Sequence, residues 1–521
     1  MSKIFKNSKI RTTIISLAFV VLFISGFVAA KLWAQRANNL MQYFQRFDAI
    51  LKIVSTDYVE QLDMDKLMKA AINGMLDALD PYSNYLEADE YNNLKTTLEG
   101  QFGGIGIYIG TREGFPSVIS PIEGTPAYRV GLKAGDKIIK IEKKSTEGMT
   151  IQDAMKLLRG TPGTKVNISC QREGINKPLD FTIVRDTIKI KAVPFAGKVA
   201  PDIGYVRLAD FSRESRNELE TAIDSLFNKV GVKKLIFDMR SNPGGYLQEG
   251  YEISDLFLSP GKLVVVAKGR TEESKREYVS IEQDKHGDYP LIVLVDRGSA
   301  SAAEIVTGAL QDWERAFVLG DTTFGKGSVQ NIIQLDSTAA LKLTNAYWYT
   351  PSGRCINRPN QGLAVIHDSS NAKKKYYTLG PQKRDIYGGG GIAPDYFMQY
   401  RRLNDLEVKL VSSGIFFDFA VKYTAYHKKI QPDFQVDDAM IQEFKKMMQD
   451  KKIDYTDAKF DSNSQYIKQE IEREISATLW GMNADYQIRV KNDEQIQKAI
   501  ELLQPATITT TADIFSEVKP K

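Results

Sequence analysis

Two short segments carry residues that could do hydrolytic chemistry. Asp296-Arg-Gly-Ser-Ala-Ser-Ala-Ala-Glu304 holds Ser301, and Thr323-Phe-Gly-Lys-Gly-Ser-Val-Gln330 holds Lys326 and Gln330. The chain has only three histidines, His286, His367 and His427, none in a recognisable catalytic motif. A hydrolase built here needs a base other than imidazole, and a serine paired with a desolvated lysine is the chemical alternative. The small residues of Gly298–Glu304 let a turn pack tightly, and Ser299 or Ser301 could simply cap the following helix. The competing reading is a nucleophile at a helix N-terminus, where free amides and the dipole stabilise developing negative charge.

Gly320-Asp-Thr-Thr-Phe-Gly-Lys-Gly-Ser328 almost spells a phosphate-binding P-loop. It fails because Gly327 stands where a magnesium-binding hydroxyl belongs, and because Val329 to Leu335 reads as a strand, not the required helix. The glycines instead let the backbone pass close to a neighbour while presenting Lys326. Arg240-Ser-Asn-Pro-Gly-Gly245 is a turn that is either only a loop or one exposing an amide to an oxyanion. Three such loops at the ends of strands of one α/β sheet would converge on a site.

The elements that must position these loops show in the periodicity. Leu40, Phe44, Phe47, Leu51 and Val54, and then Leu67, Ala70, Ala71, Met75 and Leu79, recur at helical spacing until Asp80-Pro81 breaks the pattern. Leu98 to Arg185 reads as short strands with one amphipathic helix, marked by Ile151, Ala154, Met155 and Leu158 and stopped by Gly160 and Pro162. From about 187 to 400 strands alternate with helices. Lys234–Asp238 and Pro290–Asp296 are short apolar runs of the buried-strand type, and Leu219, Ala222, Ile223, Leu226, Phe227 and Val230 form one helical stripe. That alternation implies an α/β core. Beyond about 402 the chain is charged and helix-like, without an interpretable motif.

At 521 residues the chain exceeds one ordinary domain, and 43% apolar residues support real cores over disorder. A net charge of +4 gives no special affinity for nucleic acid. Cys170 lies on the apolar face of a strand-like run with Val166 and Ile168, as a buried core thiol would; a Cys170–Cys355 disulfide stays open. Lys3, Lys6, Lys9 and Arg11 precede an uncharged apolar run from Thr12 to Ala30. This is longer than the ~7–15 residues of a signal-peptide core and reaches the ~17–25 of a membrane span. It fits an anchoring helix better, although Val28-Ala-Ala30 could serve for cleavage. Either way the basic residues favour a cytoplasmic N-terminus and an exported body.

Taken together, Gly298–Ile305, Thr323–Gln330, Asp238-Met-Arg-Ser-Asn-Pro-Gly-Gly245, Tyr349-Thr-Pro-Ser-Gly-Arg354 and Gly389-Gly-Gly-Ile-Ala-Pro-Asp395 occur in an order and spacing that resemble the carboxyl-terminal processing proteases. These are tail-specific serine endopeptidases with a Ser–Lys active site, and the resemblance covers about residues 40 to 400. It implies that Ser301, not Ser299, is the nucleophile, that Lys326 is the general base, and that Gln330 orients the lysine amine. It implies an oxyanion hole from the backbone amides of Gly245 and Ala302, and neither metal nor organic cofactor. Lys326 would need burial to lower its pKa from about 10.4, with Phe324 a candidate neighbour.

Phe102-Gly-Gly-Ile-Gly-Ile107 resembles the carboxylate-capturing loop of a PDZ domain, which implies that Gly104, Ile105 and Gly106 bind the free carboxylate of a substrate tail. The expected architecture is α/β: a crotonase- and Clp-like protease core with an inserted PDZ domain, an N-terminal helical region and a helical C-terminal extension. The expected boundaries are 1–35 for the anchor or signal, 36–97 helical, 98–186 PDZ, 187–402 protease core and 403–521 extension. The expected partners are protein or peptide tails with free C-termini, the membrane through the N-terminal helix, and a homo-oligomer or adaptor through the extension. The expected location is the periplasmic face of a bacterial inner membrane, or secretion after cleavage. The rival reading is an inactive PDZ-bearing adaptor that docks protein tails for a partner protease.

Overall fold

The computed structural model describes residues 39–282, 285–336, 338–358 and 374–518. The Thr12–Ala30 run and His367 lie outside the described residues, among which no helix is long and apolar enough to cross a membrane. The chain divides into two compact units, residues 1–78 and 79–521. In the first, helices span 39–57 and Met64–Asp77, as the spacing of Leu40, Phe44, Phe47, Leu51 and Val54 implies. Asp63 caps the second helix by accepting from the Lys66 amide at 3.1 Å.

In the second unit, Asp80-Pro81 ends the helical periodicity as expected, but the stretch up to residue 97 is not all helix. Asn84–Glu87 is a strand paired antiparallel with Ala339–Tyr349, and only then does helix Ala88–Glu99 begin. A separate antiparallel sheet comes next. Its main strands, in spatial order, are Ile107–Arg112, Phe115–Pro121, Lys137–Ile141, Lys165–Gln171 and Leu179–Val184. Val166, Ile168 and Cys170 all point into its core, the alternation a half-buried strand requires. Both cysteines are buried and free, so no Cys170–Cys355 disulfide forms.

The α/β core is built on a six-stranded sheet in the order Phe195–Ala200, Ile203–Arg207, Lys234–Asp238, Leu291–Val295, Phe317–Gly320 and Tyr396–Phe397. All neighbours pair parallel except the first. Lys234–Asp238 and Leu291–Val295 are buried along their whole length, which is why they read as continuous apolar runs. Helix Ala302–Asp312 is buried throughout against one face. The stripe from Leu219 to Val230 is not one regular helix: Ser215–Asp224 is α-helical and Ser225–Val230 continues as π-helix.

The C-terminal extension is helical, from Asp405–Ser412 to Thr511–Glu517. Its first part has its own core, including Leu410, Phe419, Phe444, Ile467 and Ile475. Its last part lays Val490, Ile496, Leu503 and Ile514 on Ile236, Ile292 and Phe317 of the six-stranded sheet. Each such side chain contributes about 1.5–3 kcal/mol of burial, so this last part is packed as one body with the sheet.

Candidate active site

Three loops leave the C-terminal ends of three adjacent parallel strands, Lys234–Asp238, Leu291–Val295 and Phe317–Gly320. The middle loop carries both candidate serines. Ser299 is fully buried; its hydroxyl donates to the Met239 carbonyl at 2.8 Å and accepts from the Asp296 amide at 3.0 Å. It is consumed in shaping the turn. Ser301 is partly accessible and sits at the N-cap of helix Ala302–Asp312 with φ +55° and ψ −113°. A non-glycine residue there costs about 1–3 kcal/mol and persists only where its surroundings hold it.

Glu304 does much of that holding, and sequence reading missed it. Its buried carboxylate accepts from the Ser301 amide at 2.9 Å, the Thr323 hydroxyl at 2.6 Å, the Gly325 amide at 2.7 Å and the Lys326 amide at 2.9 Å. One side chain thus ties the serine turn to the lysine loop. Burial pushes its carboxyl pKa up, and the four donors oppose that shift. The only sequence signal was its place three residues after a helix-capping serine.

Lys326 is partly buried, and burial pushes its ammonium pKa down; the positive charge of Lys342 adds to this, while Glu304 and Asp80 oppose it. The expected apolar cover is not Phe324, which is 42% exposed while its backbone amide donates to the Ser299 carbonyl. The ring on Lys326 is Tyr82, with Nζ 5.1 Å from its centroid. Nor is Gln330 on the lysine. Its amide nitrogen donates to Ser328 Oγ at 2.8 Å and Thr344 Oγ1 at 3.3 Å. Among the described residues no hydrogen bond joins Lys326 Nζ to Ser301 or Gln330. The structure brings the lysine loop to the serine turn, and leaves the two side chains unengaged.

The first loop packs on Ser301. Gly244 has φ +91°, and a Cβ there would stand 2.7–2.9 Å from the Ala300 carbonyl, Ser301 Cβ and the Ala302 amide. Asn242, fully buried, fixes the approach: its carbonyl accepts from the Ala300 amide at 2.9 Å, and its side chain accepts from the Gly244 amide at 2.9 Å. The amides of Gly245 and Ala302 donate to no acceptor among the described residues. Ala302 directly follows Ser301, and Gly245 directly follows the Gly244 that packs on it.

Beside the antiparallel sheet of residues 107–184, the carbonyl of Ile105 accepts from the Ala127 amide at 2.8 Å and that of Gly106 from the Ile122 amide at 3.0 Å. The amides of Ile105 and Gly106 have no acceptor among the described residues. Gly104 instead ends a strand, Gln101–Gly104, paired with Asp186–Lys189. The next strand, Ile107–Arg112, is an edge strand. Of the described histidines, His286 bonds Asp224 at 2.7 Å and His427 stacks on Tyr423, neither as part of the Ser301 turn.

Comparison with known proteins matches four family descriptions. They are "Peptidase family S41" over residues 202–364, "PDZ domain" over 117–172, "Probable PDZ-protease, C-terminal helical domain" over 406–459 and 456–503, and "Activating protease CtpB N-terminal domain" over 28–90. The carboxy-terminal-processing protease of Bartonella bacilliformis is 41% identical over 363 residues, 69% of this chain and 82% of that protein. The carboxy-terminal processing protease CtpA of Bacillus subtilis is 36% identical over 340 residues, 65% of this chain and 72% of that protein. Among solved structures, the photosystem II D1 C-terminal processing protease is 26% identical with a TM-score of 0.36, covering 68% of this chain and 86% of that one.

Proposed function

This chain belongs to the carboxy-terminal processing proteases, serine-type peptidases of family S41 that carry a PDZ domain, and from that premise we propose that Ser301 and Lys326 form its catalytic dyad. Ser301 Oγ attacks a peptide carbonyl while its proton passes to neutral Lys326 Nζ. The carbonyl oxygen, now negative, takes hydrogen bonds from the Gly245 and Ala302 amides. Collapse of the tetrahedral intermediate breaks the peptide C–N bond, and Lys326 returns the proton to the leaving amine. Water then hydrolyses the acyl-enzyme, giving its proton to Lys326 and restoring Ser301. Gln330 would leave Thr344 to orient the amine.

The observation that carries this reading is the Glu304 carboxylate, which receives the Ser301 and Lys326 amides at 2.9 Å each. The two residues are held on one anchor, in loops from neighbouring strands, and this favours a single reaction centre over the adaptor reading.

The substrate reading adds the PDZ module. The Ile105 and Gly106 amides would take the terminal carboxylate of a protein tail, and the tail would add as a strand to Ile107–Arg112. The substrates would be unfolded or weakly structured C-terminal tails of exported proteins. Export rests on the apolar Thr12–Ala30 run behind Lys3, Lys6, Lys9 and Arg11, which would anchor the body to the periplasmic face or be removed.

The test is digestion of an unfolded protein by the full-length chain beside Ser301→Ala and Lys326→Ala. Cleavage by the parent and by neither variant supports the dyad. Equal cleavage by all three overturns it.

A further inference from the structure

Asp80-Pro81-Tyr82-Ser83 is legible in the sequence only as a helix breaker, yet it folds onto the two side chains that have to reach Ser301. The Asp80 carboxylate organises the turn. Its Oδ1 accepts from the amides of Tyr82 at 2.8 Å and Ser83 at 3.0 Å, and its Oδ2 from the Ser83 hydroxyl at 2.8 Å. Strand Asn84–Glu87, directly after it, pins the turn to strand Ala339–Tyr349. From that platform the Tyr82 ring faces Lys326 Nζ, 5.1 Å from ring centroid to nitrogen. Among the described residues Lys326 Nζ has no hydrogen-bond or ion-pair partner, so the ring is what faces the ammonium.

The same turn reaches Gln330. Thr344 Oγ1 donates to Asp80 Oδ1 at 3.2 Å and accepts from Gln330 Nε2 at 3.3 Å, while the Thr344 amide donates to Ser83 Oγ at 3.1 Å. One four-residue turn therefore engages the lysine directly and the glutamine through one threonine.

We infer that the Asp80–Ser83 turn is a latch on the catalytic base: Tyr82 holds Lys326, and Asp80 through Thr344 holds Gln330, both away from Ser301. This rests on the Ser–Lys reading above. An aromatic face attracts an ammonium and has no comparable attraction for a neutral amine. The Tyr82 face, 5.1 Å from Nζ, therefore favours the protonated form against the burial that disfavours it, and a protonated lysine seated there cannot accept the Ser301 proton. Gln330 has a single amide group, and its NH₂ is spent on Ser328 and Thr344. Substrate entering the site must win Lys326 and Gln330 from the turn. Tyr82, Asp80 and Thr344 are positioning residues, and each acts on the base, never on the peptide bond.

The experiment measures how fast a fluorophosphonate probe labels Ser301 in the full-length chain with no substrate present. Tyr82→Leu removes the ring face and Thr344→Val cuts the link from Gln330 to Asp80 with little change of shape. Each is expected to label roughly three- to tenfold faster than the parent, the range a lost cation–π or polar contact supports. Tyr82→Phe, which keeps the ring, is expected to bring the rate back toward the parent. A merely structural role would slow labelling, so a gain cannot come from misfolding. If Tyr82→Leu does not fold, judged by its melting transition, Thr344→Val carries the test. Variants that label no faster than the parent, with Ser301→Ala unlabelled, overturn the latch and leave the dyad standing. Labelling that persists in Ser301→Ala overturns both.

Discussion

Asp493, at the N-cap of helix Glu494–Leu503 in the C-terminal extension, grips Arg240 Nη1 with both carboxylate oxygens, at 3.0 and 2.9 Å. Arg240 is buried and opens the loop that ends at Gly244 and Gly245. Gln495 Oε1 accepts from the same Nη1 at 2.9 Å, and Asp238 holds the other side of the guanidinium. An extension with no readable motif thus closes an ion cluster at the root of a candidate oxyanion loop.

Removing one partner of such a cluster leaves a buried charge short of compensation, which costs more than the pair itself contributes. Asp493→Ala is expected to lower unfolding stability by about 3 kcal/mol, read as a drop in urea midpoint at unchanged slope. A change under about 0.5 kcal/mol, the usual range for a surface substitution, would show that the contact is incidental.

Glu304→Gln tests the clip. The amide keeps one acceptor oxygen but presents an NH₂ to backbone amides that need an acceptor. The serine turn and lysine loop should separate by a fraction of an ångström. A full 1 Å misplacement can cost about 10²-fold in rate, so kcat is expected to fall by up to that order with KM little changed. A variant with wild-type kcat would remove Glu304 from the mechanism.

What the sequence made legible divides along a physical line. The Ser301, Lys326 and Gly245 loops are local: their glycines and small residues sit next to the chemistry, and short apolar strands frame them. Tyr82, Asp80 and Thr344 were not legible, because their roles come from pairing Asn84–Glu87 with Ala339–Tyr349, a strand from the far side of the PDZ module and most of the protease core in chain order. Asn84–Glu87 is short, sits beside helical sequence and carries no strong alternation. Phe324 is the nearest aromatic in sequence to Lys326 but is left exposed, and the aromatic that meets the lysine comes from across the fold. Glu304 lies inside a motif without showing a role there, since a carboxylate shared by two loops is invisible until the loops meet. The extension's packing on the sheet was equally hidden, because helical periodicity does not name the surface a helix covers.

Lys326 as the proposed base sets an expected pH dependence. Burial destabilises its ammonium and Lys342 repels it, against the opposing pull of Glu304 and Asp80. The base must be neutral, so kcat/KM is expected to rise with pH through a midpoint below the usual lysine value of about 10.4. Lys342→Met removes the like charge, lets the Lys326 pKa rise, and moves that limb to higher pH, lowering activity near neutrality. A limb that stays put, or moves to lower pH, would mean Lys342 does not act on the base.

Gly244→Ala addresses the oxyanion loop. The residue has φ +91°, and its new Cβ would meet the Ala300 carbonyl at 2.7 Å and Ser301 Cβ at 2.8 Å. Neither neighbour is the free end of a flexible chain, so the loop itself must move. Displacing one oxyanion donor costs about 10²–10³ in kcat, and a loss of that order is expected while tail binding to the PDZ module is retained. Unimpaired turnover would place the oxyanion donors elsewhere.

In the PDZ module, the adjacent amides of Ile105 and Gly106 lack acceptors among the described residues, and Gly106 has φ +82° with the Thr125 side chain directly behind it, where a Cβ would come within 2.3 Å. These two donors lie next to the edge strand Ile107–Arg112. A carboxylate bound there gains charge-assisted hydrogen bonds, each worth about 1.5–3 kcal/mol; a carboxamide loses the charge and points donors at donors. Capping the C-terminus of an unfolded substrate as its amide is therefore expected to raise KM by about tenfold or more, at about 1.4 kcal/mol per tenfold. The companion measurement is kcat. If the PDZ module only concentrates substrate, saturating amounts of the capped substrate restore full turnover. If carboxylate binding also releases the base from the Asp80–Ser83 turn, kcat falls with the cap as well, and Tyr82→Leu should recover part of it. Equal KM for the free and capped substrates would mean that the tail is not read at this loop.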